Sequence, residues 1–115
     1  MSDDCLFCKI IAGDIPSNKV YSDDEVTAFH DISPAAPSHI LVIPNQHLAA
    51  VNAASDTDQA LLGKLILTAN KIAAEQGLAD AGFRYVINTG SEGGQTVSHL
   101  HLHILGGRQM NWPPG

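Results

Sequence analysis

Between residues 99 and 105 the chain reads HLHLHIL, a strict alternation of imidazole and aliphatic side chains. Period-two alternation is the pattern of a β-strand, whose successive side chains point to opposite faces. His99, His101 and His103 are therefore expected on one face, with Leu100, Leu102 and Ile104 on the other, which demands a core to cover it. The segment rules out an all-helical fold and calls for a sheet with two unlike faces. At a rise of about 3.3 Å per residue the outer imidazoles lie roughly 13 Å apart. That is too far for all three to share one ion in a regular strand, although an adjacent His-x-His pair can.

A second periodicity supplies the cover. Ser55 and Asp58 have capping-box spacing, with Asp in place of the usual Glu. Leu61, Leu62, Leu65, Ile66, Ala69, Ile72 and Ala73 then recur at three- and four-residue intervals, and Gly77 stands where the helix would stop. This predicts an amphipathic helix of roughly five to six turns. A short helix is expected over 4–12, stopped at Gly13. Strands are expected at 20–21, 26–31, 39–44, 83–88 and 99–105, the third ended by Pro44. SPAAP (33–37), TGSEGGQ (89–95) and the tail GGRQMNWPPG read as irregular. The order α-β-β-β-α-β-β predicts an α+β fold with a mostly antiparallel five-stranded sheet, one long helix and one short one. Residues 1–115 contain no repeat or linker and read as a single domain.

Charge narrows the partners. Six Lys and Arg against twelve Asp and Glu leave a net charge of −6, with no basic cluster. Binding to a nucleic-acid backbone needs clustered cations, so no nucleic-acid partner is expected. No apolar run approaches the ~20 residues of a membrane span. The acidic start MSDDCLFCKI lacks the positive charge and apolar stretch of a secretory signal. A cytoplasmic protein without membrane association is the expectation. There, the C-x-x-C of Cys5 and Cys8 reads as a metal site or a redox pair rather than a structural disulfide. A redox pair belongs after a strand, and only four residues precede Cys5, so metal is favoured. Two thiolates alone do not complete a zinc site.

The alternating histidines suit phosphoryl chemistry. A neutral imidazole, with a reference pKa near 6.5, is a competent nucleophile. When one ring nitrogen donates to a backbone carbonyl, the other presents a lone pair that can meet phosphorus. Gly93 and Gly94 can turn amide N–H groups toward an anion, although an ordinary tight turn uses the same pair. A wet strand face is the bland alternative for the histidines, but Thr, Lys or Glu serve a wet face better.

The run HLHLHIL is similar to the signature of the histidine triad (HIT) superfamily of nucleotide hydrolases and transferases. FHDISPAAPSHILVIP (29–44), the GGQ loop and the tail LGGRQMNWPPG extend the resemblance over nearly the whole chain to the Hint branch, the purine nucleoside phosphoramidases. The resemblance implies a HIT-like fold and cleavage of the P–N bond of a purine nucleoside phosphoramidate, through a nucleotidylated histidine and without a catalytic cofactor. It assigns His101 as nucleophile, His103 to the phosphate oxygens, and His39 as a proton relay behind the nucleophile. Thr96 stands where Hint proteins often carry Ser, a hydroxyl that helps the leaving group; Ser98 stands where an aromatic is expected. Asn88, Gly94, Gln95 and Val97 would complete the nucleotide-phosphate site. Asp31 would bind the ribose hydroxyls, although a turn-forming Asp explains it equally. Phe29 and Ile32 would wall the base pocket, although core packing explains them as well. A homodimer is implied, with Trp112 reaching the partner's site; a floppy terminus is the competing reading.

Some histidine triad proteins hold zinc through an N-terminal C-x-x-C and two histidines. By that resemblance Cys5, Cys8, His47 and His99 would form a closed structural site. Three other functions compete: a dinucleoside polyphosphate hydrolase, a metal-dependent hydrolase built on His-x-His, and a non-catalytic nucleotide-binding dimer. The Hint-like tail argues against the first, the glycine loop against the second, and the full set of reactive positions against the third.

Overall fold

The structure is a computed structural model and describes residues 4–115. Among these are two α-helices, α1 (Leu6–Ala12) and α2 (Gln59–Glu75), and five strands. The strands are β1 (Lys19–Ser22), β2 (Val26–His30), β3 (Ser38–Pro44), β4 (Phe83–Val86) and β5 (Leu102–Gly106). They form an antiparallel sheet in the order β1-β2-β3-β5-β4.

The central strands are apolar on both faces, because each face carries a core of its own. Val26, Ala28, Ile40, Val42, Leu102 and Ile104 pack against Leu65, Ala69, Ile72 and Ala73 of α2. On the reverse, Phe29, Leu41 and Ile43 pack against Phe7 and Ile10 of α1. Two-sided burial turns HILVIP into a near-continuous apolar run instead of an alternation. Directly paired residues share a face: Phe29 opposes Leu41, and Leu41 opposes His103. His103 therefore emerges on the α1 side, beside the smaller core.

Three local departures from expectation have physical causes. The Ser55–Asp58 capping box is present, but it caps a 3₁₀ turn, Asp56–Asp58, that leads into α2. Within α2, Ile66 turns outward at 39% exposure, and Thr68 is buried in the stripe instead. The last strand starts at Leu102, not at residue 99, so His99 and His101 precede the ladder. Leu100 N–H donates to Leu48 O at 2.7 Å, and the His99 ring turns toward Pro44, both away from a regular strand course. No helix among the described residues is long and apolar enough to cross a membrane.

Candidate active site and metal centre

His101 is nearly buried just before β5, and its Nδ1 lies 2.7 Å from the carbonyl oxygen of His99. A carbonyl only accepts, so Nδ1 carries the proton and donates, which leaves Nε2 as the lone pair. The ring is flanked by His103, with centroids 4.9 Å apart, and by Phe7 edge-on at 5.1 Å. Phe7, between the two cysteines, was not anticipated as a site neighbour. Its signal was the C-x-x-C itself, since fastening both cysteines fixes the short helix that carries Phe7.

A hydrogen-bonded chain runs behind His103. Ala35 N–H donates to His39 Nδ1 at 3.0 Å, so the neutral His39 ring carries its proton on Nε2. That Nε2–H lies 2.9 Å from His103 Nδ1 and donates to it. His103 is thereby left as the Nε2–H tautomer, and this Nε2 is buried with no hydrogen-bond partner among the described residues. It is an uncommitted donor beside the His101 lone pair. Burial first, then the neighbouring imidazoles of His101 and His39, push the His103 pKa down to about 4. Burial likewise lowers the His39 pKa, with the Asp31 carboxylate opposing. The sequence reading set His39 behind His101; its hydrogen bond is to His103 instead.

Asp31 Oδ1 accepts the Ser33 N–H at 2.8 Å, the turn-forming role weighed above, and Oδ2 stands 3.5 Å from His39 Nε2. Asp31, His39 and His103 bring donor atoms close enough to suggest a metal site. The proton that Ala35 forces onto His39 Nε2 fills that position, so the group is a hydrogen-bond chain.

Cys5, Cys8, His47 and His99 are different. Their ligand atoms lie within 4.8 Å of one another. Cys5 Sγ is 3.3 Å from His99 Nδ1, Cys8 Sγ is 3.4 Å from His47 Nδ1, and the two Nδ1 atoms are 3.1 Å apart. Zinc bonds of about 2.3 Å to sulfur and 2.0 Å to nitrogen at tetrahedral angles space such donors roughly 3.3–3.8 Å apart. His99 Nε2–H donates to Pro44 O at 2.8 Å, which frees Nδ1 as a lone pair and orients the ring as an outer-sphere carbonyl does in metal sites. The residues fit a metal ion.

The remaining expected positions are less united. In the glycine loop, Gly94 N–H donates to Ser91 O and Gln95 N–H to Gly90 O, so both amides serve the turn. Gly94 has φ of 84°, and a Cβ on Gly93 would fall 2.4 Å from Thr89 O, so the turn requires both glycines. The Gln95 side chain braces the loop: Oε1 accepts from Gly90 N–H, and Nε2 donates to Ala49 O and Val97 O. Thr96, Val97 and Ser98 line a cavity of about 450 Å³ with Asp4, Cys5, Leu6 and His47, on the metal side. Asn88 is half-buried just past β4. Phe29, at 3% exposure, is a core residue, whereas Ile32 is 96% exposed. Trp112 is 81% exposed beside Arg84 of β4, whose guanidinium carbon stands 6.0 Å from the indole centroid.

The HIT domain family profile matches residues 12–110. An uncharacterized HIT-like protein of Synechococcus elongatus is 56% identical over 115 residues, covering all of both chains. The purine nucleoside phosphoramidase of Escherichia coli K12 is 50% identical over 110 residues, 96% of this chain and 92% of that one. The crystal structure of a HIT family hydrolase from Legionella pneumophila superposes with a TM-score of 0.95 at 51% identity, covering 96% and 99% of the two chains.

Proposed function

The chain belongs to the HIT domain family, and from that premise we propose that it is a hydrolase of purine nucleoside phosphoramidates. The observation that carries this reading is the pairing of two imidazoles with opposite roles. His101 offers an Nε2 lone pair, and His103 offers an unpartnered Nε2–H beside it. His101 Nε2 attacks the α-phosphorus in line, forming an N–P bond as the P–N bond to the amine breaks. The departing amine takes its proton from a water through the Thr96 hydroxyl, and the hydroxide so formed is consumed in the hydrolysis that follows. His103 Nε2–H donates to a non-bridging oxygen, where negative charge builds. Water then cleaves the phospho-imidazole bond, giving a nucleoside monophosphate and restoring His101.

Asp31 would hold the ribose, with Phe29, Ile32, Asn88, Gly94, Gln95 and Val97 around the nucleotide. Gln95 serves through the loop it braces. Cys5, Cys8, His47 and His99 would hold a structural zinc ion, which cross-links the chain and supplies no reaction chemistry. The chain is one HIT domain, works in the cytoplasm and forms a homodimer. Support for the dimer comes from the open edge of β4 and from apolar surface at Leu67, Phe83 and Ile87. Trp112 then approaches the partner's site.

Assaying adenosine phosphoramidate beside diadenosine polyphosphates, with and without chelator, tests the reading. The phosphoramidate is expected to turn over fastest, and chelator is expected to leave its P–N cleavage intact wherever the fold survives. His101→Ala is expected to lose turnover by a factor of about 10³ or more while still binding AMP. Retained turnover in that variant sinks the mechanism.

A further inference from the structure

The metal-ligand residues and the proposed nucleophile are not separate features of this fold. Cys5 is the N-cap of α1 and Cys8 lies in its first turn, with Phe7 between them. The Phe7 ring stands edge-on to His99 at 5.8 Å and to His101 at 5.1 Å. His99 is gripped on both sides, with Nδ1 facing the cysteine sulfurs and Nε2–H donating to Pro44 O. The carbonyl of this same residue accepts the His101 Nδ1–H at 2.7 Å. The contacts therefore run from sulfur to the His99 ring, along its backbone, and into the His101 ring. The β5 ladder begins only at Leu102, so outside it the 99–101 backbone is held by a single bond, Leu100 N–H to Leu48 O, and by the grip on the His99 ring.

We propose that Cys5, Cys8, His47 and His99 are positioning residues for His101. Closed on a metal ion, they fix the His99 carbonyl and the Phe7 ring, and those two hold His101 in the tautomer and orientation that present Nε2 to substrate. This rests on the reading of His101 as the nucleophile. Without the clamp the carbonyl drifts, the ring samples both N–H forms, and only part of the population can attack in line. The effect falls on the rate of nucleotide transfer rather than on nucleotide affinity, since the proposed nucleotide contacts lie on other residues.

The test uses the full chain carrying Cys5→Ser and Cys8→Ala together. Serine is a preferred N-cap and alanine the best helix former, so α1 keeps its local support without metal. Four quantities are compared with the zinc-loaded parent: circular dichroism, AMP affinity by calorimetry, the single-turnover rate of labelling by adenosine phosphoramidate, and the ¹⁵N shifts of the His101 ring. The variant is expected to keep AMP affinity within about threefold and to lose labelling rate on the order of ten- to a hundredfold, the usual reach of an outer-sphere contact. Its ring nitrogens are expected to move from a single Nδ1–H form toward a mixture. Equal rate and equal ring shifts overturn the proposal. Should the variant not fold, cadmium exchanged into the parent lengthens the ligand bonds instead. Altered His101 shifts and rate then support the proposal, and unchanged values overturn it. If the zinc-loaded parent is never labelled at His101, the nucleophile reading fails, and the ring shifts still decide whether the clamp sets the tautomer.

Discussion

A buried imidazole with no partner on one nitrogen is costly unless something arrives to use it, and His103 Nε2 is such an atom. Its state follows from one backbone amide two links away: Ala35 N–H sets His39, and His39 sets His103. The depressed His103 pKa, about 4, has a consequence for stability. The unfolded chain binds this proton near pH 6.5 and the folded chain only near 4, so the unfolded state holds more protons between those values. The contribution is complete above pH ~6.5 and is lost as pH falls toward about 4. His39 is shifted in the same direction and adds to the slope. Urea unfolding across this window is expected to show a shallower pH dependence in His103→Gln than in the parent. Identical slopes would mean that His103 titrates alike in both states.

At the scale of elements, the two helices do unlike work. Helix α2 covers the larger core, and Ile72 is almost fully buried there, whereas Ile66 looks outward. Ile72→Ala is expected to cost about 2–5 kcal/mol and Ile66→Ala about 1 kcal/mol or less, read from denaturant midpoints. Equal costs would mean that the stripe faces another way. Helix α1 is only seven residues long and owes its place to Phe7, Ile10 and the cysteines. Much of this was legible beforehand, because period two and period 3.6 report directly on which face is buried. The long helix, the antiparallel five-stranded sheet and the grouping of Cys5, Cys8, His47 and His99 all followed from pattern or resemblance. Misread features were those decided by contacts far apart in the chain. His99 leaves the strand pattern because Pro44 and the cysteines claim its ring. The loop-bracing role of Gln95 was not legible because Ala49, 46 residues away, accepts its amide. Ile66 matches the spacing of its stripe, but spacing alone cannot place the edge of a buried face.

For the molecule as a whole, the sheet separates structure from chemistry. One face meets α2 over the larger apolar core; the other carries α1, the Cys5, Cys8, His47 and His99 group and the His39–His103 chain. A net charge of −6 leaves recognition of an anionic nucleotide to local donors, such as the Nε2–H of His103, rather than to a general field. The open β4 edge argues for assembly, and sedimentation is expected to give twice the chain mass of 12.2 kDa. A monomer at micromolar concentration would remove Trp112 from the site. The claim on which the rest depends is that His101 becomes covalently nucleotidylated. Intact-protein mass spectrometry after a millisecond alkaline quench with adenosine phosphoramidate tests it directly. One adenylyl group per chain is expected, mapped to His101 and absent from His101→Ala; turnover with no covalent label, or a label on another residue, overturns the assignment of His101 as nucleophile.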